Sequence, residues 1–143
     1  MGLISPYIFA IVVAWIMAHL IKYIIALKRG TVKDVVDQIF ISGGMPSAHA
    51  ATSVALWTII MLKDGIESGL FGIASLFVLI VAYDAMKVRR SSGEQGDAIT
   101  QLIKESGSKI RLPRSAKGHS LLEVLVGAVL GLIVGYIVFF ALS

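Results

Sequence analysis

Four long apolar runs, separated by short charged stretches, constrain this chain more than any other feature. A helix needs ~20 mostly apolar residues to cross ~30 Å of hydrocarbon. The first run spans Ile4 to Leu27 and is interrupted near its end by His19 and Lys22. The second, from about Ser47 to Leu62, is the shortest and most polar. The third runs from about Leu70 to Met86, with Tyr83 and Asp84 at its end, and the fourth from about Leu121 to Leu142. Backbone polar groups in lipid must be satisfied within the segment, so these runs are read as helices. The predicted fold is all-α: a polytopic membrane protein of about four transmembrane helices in a bundle, with a long basic loop before the last helix. A single domain is expected over residues 1–143.

Composition agrees. Hydrophobic residues make up 57% of the 143 and charged residues only 15%, whereas a soluble domain carries about a quarter charged residues. Without cysteine, disulfides and thiolate metal sites are excluded. The net charge of +4 would suggest nucleic acid in a soluble protein, but basic loops on a membrane protein set topology and meet anionic headgroups. No nucleic-acid partner is expected. The first run is not read as a cleaved leader: no Lys or Arg precedes Lys22, and the run exceeds the ~7–15 apolar residues of a signal peptide.

The loops alternate in character. Lys28 to Met45 and Lys87 to Ser120 are basic, and Lys63 to Gly69 is short and mildly acidic. Within the third loop, Glu94 to Glu105 has helix-compatible spacing, with Ile99, Leu102 and Ile103 on one side, and Gly107 to Gly118 reads as irregular. The positive-inside rule places the two basic loops in the cytoplasm and both termini outside, in what is expected to be the plasma membrane. Gly127, Gly131 and Gly135, at spacing four, suit close helix packing. They would tolerate a homodimer, but bundle packing is the preferred reading.

The polar residues near membrane depth gather at one end of the helices. His19, Lys22 and Arg29 close the first span; Ser47 and His49 open the second; Asp84 closes the third; His119 and Glu123 open the fourth. Helices alternate in direction, so all four ends meet at the basic face. Intramembrane charge at one end only argues against a transport path, which needs polar groups at mid-depth. Lys22 and Arg29 are two helical turns apart and share a face that suits a phosphate, although for the pair alone two snorkelling cations are the preferred reading. Ser42 to His49 forms a glycine turn, including Gly44, that leads into a helix. Pro46 fits the first turn and Ser47 caps it, leaving backbone N–H groups for an anion. An ordinary helix start with an incidental histidine accounts for the turn alone. His119 and Glu123 stand at i and i+4, where the carboxylate fixes the imidazole tautomer and frees the other nitrogen; a polar helix start accounts for this pair too. Zinc is a rival reading of three histidines, but no close His-x-x-x-His spacing is present. Asp84 is expected to pair with Arg89 or Arg90 if the chain bends after Ala85, or with Lys22 across the bundle; a solvated helix-end Asp is the rival reading.

In order, Lys22-x6-Arg29, Pro46-Ser47-x-His49 and His119-x3-Glu123 resemble the type 2 phosphatidic-acid phosphatase superfamily. Gly43 to His49, Tyr83-Asp84-Ala85 with Val88-Arg89-Arg90, and Gly118 to Val124 look more closely like its divergent branch of small membrane proteins, labelled acid phosphatase/vanadium-dependent haloperoxidase-related. The resemblance covers nearly the whole chain. It implies a metal-independent membrane hydrolase, without cofactor, acting on a lipid phosphate or lipid pyrophosphate through a phosphohistidine. His119 matches the nucleophile, Glu123 its orienting carboxylate and His49 the general acid. Lys22, Arg29 and Ser47 match phosphate-binding positions, with the Gly44 turn helping. Phosphate or vanadate would be the pocket anion. Two positions depart from the superfamily pattern. Gly30 follows Arg29 where proline is usual, and Pro113 stands where the third-motif arginine belongs, leaving Arg111, Arg114, Arg89 or Arg90 to supply that cation. The other functional classes considered are a non-catalytic phospholipid- or phosphate-binding membrane protein and a small transporter subunit.

Overall fold

The computed structural model describes residues 5–30, 44–113 and 118–142. They are helical in four rods, with no strand among the described residues. Helix α1 spans Pro6–Lys28, with Pro6 in its first turn and Arg29 closing it. Helix α2 spans Ala48–Asp64. Helix α3 spans Gly69–Tyr83, is capped by Ser68, and passes through a π-helical turn, Asp84–Val88, directly into α4, Arg89–Glu105. Helix α5 spans Leu121–Leu142. Three of the four rods are long and apolar enough to cross a membrane: Pro6–Lys28, Gly69–Glu105 and Leu121–Leu142. The protein is an integral membrane protein.

Helix α2 is the centre of the bundle and packs on α1, α3 and α5. Small residues let its neighbours approach. On α1, Ala10, Ala14 and Ala18 recur every four residues and are fully buried in the cluster that holds Ala51, Ala55 and Ile59 of α2. On α5 the glycine stripe lies against the α2 backbone. A Cβ at Gly127 would stand 2.4 Å from the Ser47 carbonyl, one at Gly131 2.4 Å from the Ala51 carbonyl, and one at Gly135 2.6 Å from Thr58 Cβ. The stripe therefore packs the bundle, and close contact makes up for the weak hydrophobic drive between helices in lipid. The large residues Ile8, Ile16, Leu76, Leu79, Ile133 and Ile137 point outward, as a lipid-facing surface requires.

Central placement explains why α2 is the most polar span. Its hydroxyls are satisfied locally: Thr58 donates to the Val54 carbonyl at 2.8 Å, Thr52 to the Ala48 carbonyl at 3.0 Å and Ser53 to the Ala50 carbonyl at 3.2 Å. The Trp57 indole donates to Ser75 of α3 at 2.8 Å. At the far end of the bundle, the Tyr7 hydroxyl donates to Asp64 at 2.8 Å and ties the start of α1 to the end of α2.

Two local expectations are corrected. The third span does not give way to a loop at Met86. The helix continues to Glu105, because no proline interrupts 84–105, and Gly93 and Gly96 are buried within it. After Ala85 the chain makes a π-turn. Pro46 falls one residue before the cap Ser47 rather than inside the first turn. The stretch 108–113 is irregular, as its composition predicts.

Candidate functional site

The site lies where the end of α3, the start of α2 and the start of α5 meet. Ser47 is fully buried. Its hydroxyl accepts from the Ala50 amide at 3.4 Å, and its own amide donates to the Glu123 carbonyl at 3.0 Å. The first turns of α2 and α5 are thereby joined backbone to backbone. Gly44, at φ +84° and exposed, starts the turn that leads to Ser47.

His119 sits just ahead of α5, and its side chain is only 2% exposed. Its Nδ1 meets Glu123 Oε2 at 3.1 Å, so a neutral imidazole that donates there leaves Nε2 with a lone pair. The same Oε2 accepts from the Ser120 amide at 3.0 Å, and the Ser120 hydroxyl accepts from the Glu123 amide at 3.3 Å. This reciprocal pair is a capping box, and it fixes the carboxylate that orients the histidine. Burial pushes the His119 imidazole below its ordinary range. The Glu123 hydrogen bond and charge oppose this, and the positive charges of Lys22 and Arg89 add to it.

The π-turn builds the opposite wall. The Arg89 amide bonds the Asp84 carbonyl five residues back. In an α-helix that amide would bond the Ala85 carbonyl; here the His119 amide donates to the Ala85 carbonyl at 2.8 Å. The same turn brings Asp84 Oδ2 to 2.9 Å from Arg89 Nε, settling which partner Asp84 takes. A second Arg89 nitrogen lies 3.5 Å from His49 Nε2, at the outer limit of a hydrogen bond. A guanidinium only donates, so this contact requires His49 Nε2 to be the acceptor. Lys22 on α1 is half-buried, and its charge acts on Glu123, His49 and His119.

His49, Ser47, Asp84, Arg89, His119, Glu123 and Lys22 are thus brought together. Arg90 and Arg29 stand apart from them. Arg90 pairs with Glu94 at 3.1 Å on the exposed side of α4. Arg29 is exposed at the end of α1 and pairs with no described residue. Arg114 lies outside the described residues, as do Ser42 and Gly43. His19 rests against Trp15, with ring centroids 4.3 Å apart, and its Nδ1 is 2.9 Å from the Trp15 carbonyl. Among the described residues, no three His, Asp or Glu side chains stand as a metal set. A cavity of about 450 Å³ flanks the far side of the π-turn, lined by Tyr83, Lys87, Val88, Ser91, Ser92 and Gln95 rather than by the histidines. Sequence reasoning missed the Ser120 cap, although Ser-x-x-Glu ahead of an apolar run is its signature. It also missed the Ala85 carbonyl, which no side-chain pattern announces.

Fold and site define a helical integral membrane protein with a histidine–carboxylate pair and an arginine-bound histidine at one end of its bundle. The chain belongs to the Divergent PAP2 family, which matches residues 4–134. It is similar to the uncharacterized membrane protein YuiD of Bacillus subtilis (strain 168), 33% identical over 107 residues and covering 64% of this chain and 68% of that one. No solved structure matches it.

Proposed function

We propose that the protein is a membrane phosphatase that hydrolyses a lipid phosphate or lipid pyrophosphate at the membrane interface through a phosphohistidine. The carrying observation is the buried His119 with its Nδ1 on Glu123, beside the cations Lys22 and Arg89. In this reading Nε2 of His119 attacks phosphorus and the bond to the leaving oxygen breaks. His49, having released Arg89 and taken up a proton, passes that proton to the leaving oxygen. Water then attacks the phosphohistidine, which frees inorganic phosphate and restores the imidazole. Lys22 and Arg89 stabilise charge on the equatorial oxygens, the main demand of phosphoryl transfer. Ser47 and the amides of its turn support the anion. The lipid enters sideways, with its headgroup at the basic face, which is assigned to the cytoplasmic side of the plasma membrane.

The near-complete burial of His119 also favours a second reading, a phosphate- or phospholipid-binding protein that does not turn over. Phosphate release over a panel of lipid phosphates in detergent separates the two. The phosphatase reading expects release that His119→Ala abolishes; orthovanadate binding without any release supports the binding protein.

A further inference from the structure

The π-turn Asp84–Val88 is one residue longer than an α-helical turn needs, and such single-turn insertions collect at functional sites. Two features set this one apart. The Arg89 amide goes to the Asp84 carbonyl, which leaves the Ala85 carbonyl to accept the His119 amide at 2.8 Å. The chain before His119 also presses on the start of α4: a Cβ at Gly118 would stand 2.7 Å from the Arg90 nitrogen and 2.9 Å from its Cα. Only a residue without a side chain lets the backbone come this close.

We infer that the inserted residue of the π-turn is a positioning device for His119, because it releases the Ala85 carbonyl that holds the histidine backbone against α4. Its meaning for catalysis rests on the proposed phosphatase reading; the positioning itself does not. The ion pair is not what the insertion provides. Removing Val88 would place Asp84 and Arg89 at i and i+4, where an α-helix also brings two side chains together. What removal takes away is the carbonyl, since the Arg90 amide would then stand four residues from Ala85 and bond it. Val88 is suited to deletion because its side chain is half-exposed and outside the buried core.

The test compares the full chain with Val88 deleted, the full chain with Gln101 deleted, and Gly118→Ala. Both deletions shorten the path from Asp84 to His119 by one residue, but only the first removes the π-turn. Exchange of the His119 amide is followed by NMR, orthovanadate affinity is measured alongside, and thermal midpoints are recorded. Deleting Val88 is expected to speed His119 amide exchange and weaken orthovanadate binding by about tenfold each, the scale of one lost hydrogen bond. Gly118→Ala should do the same by lifting the backbone off α4, and deleting Gln101 should change neither. Unchanged exchange without Val88, or equal acceleration without Gln101, overturns the inference. If the chain lacking Val88 does not fold, Gly118→Ala decides by the same measure. Should the unaltered protein bind no orthovanadate, the phosphatase reading fails while the amide still reports on the positioning.

Discussion

Asp84 and Arg89 are five residues apart and meet at 2.9 Å, carboxylate to guanidinium, because the helix between them makes a π-turn. The pairing aims a strong cation at His49, 3.5 Å away. In the proposed phosphatase reading, Arg89 is the cation that Pro113 does not supply.

Asp84→Asn should therefore loosen Arg89 more than the fold. The side chains of the pair are 31% and 43% exposed, and a pair this open contributes only about 0–1 kcal/mol. The expected outcome is a thermal midpoint shifted by a few degrees at most, with orthovanadate affinity and phosphate release both falling by roughly tenfold. Full affinity and turnover in the variant would remove Asp84 from the site.

Glu123 acts on His119 through one oxygen. Glu123→Gln keeps the shape and removes the charge that supports the imidazole as it bonds to phosphorus. A loss of roughly 10²–10⁴-fold in turnover is expected, with orthovanadate binding reduced far less, as for other orienting carboxylates. His119→Ala should abolish turnover, and radiolabelled substrate quenched on the enzyme should leave acid-labile, base-stable phosphoprotein in the unaltered protein only. Label persisting in the variant would mean a different nucleophile.

The pH dependence follows from the lowered basicity of His119, which burial causes first of all. An unfolded imidazole titrates near ~6.5. Below that pH the unfolded chain binds a proton that the folded chain declines, so the unfolded state holds more protons and stability rises with pH. The contribution is present above ~6.5 and is lost as pH falls through the lower folded value. Thermal midpoints measured from about pH 8 down to about pH 5 should drop less steeply in His119→Gln than in the unaltered protein; parallel curves would contradict this. The neutral nucleophile should also survive to lower pH, moving the acid limb of turnover below ~6.5.

Gly131→Ala tests the packing of α5 on α2. The added Cβ would stand 2.4 Å from the Ala51 carbonyl and 2.9 Å from the Ala55 nitrogen, and neither backbone atom can yield cheaply. Overpacking of this kind destabilises by about 1–3 kcal/mol. A lower midpoint in detergent is expected, against little change for Gly72→Ala, where nothing lies within 4 Å.

Sidedness can be tested directly, because the chain has no cysteine. With the basic face in the cytoplasm, Ser68→Cys should be labelled by an impermeant reagent in intact cells, and Ser92→Cys only after permeabilisation. The opposite pattern inverts the topology.

Much of this was legible in the sequence. The apolar runs marked the spans, and the fourth, Leu121–Leu142, matches its helix end for end. Polar residues confined to the run ends pointed to the cluster of His49, Asp84, His119 and Glu123. Arg90 and Arg89, being adjacent, looked interchangeable, yet one faces His49 and the other Glu94. The difference is set by a helical register that side-chain identity does not encode. The alanines of α1 were hidden in plain view, since alanine marks a face only once its neighbours are known to be near.

The placement of α2 bears on how the protein is made. Its 17 residues rise about 26 Å at ~1.5 Å each, short of the ~30 Å of hydrocarbon, and they carry serine, threonine and histidine. Such a segment is a poor passenger for the insertion machinery on its own, because its hydroxyls and its length suit neighbouring helices rather than acyl chains. In the bundle it is surrounded instead by α1, α3 and α5. The histidine it carries therefore stands at the end of a helix walled by other helices rather than by acyl chains.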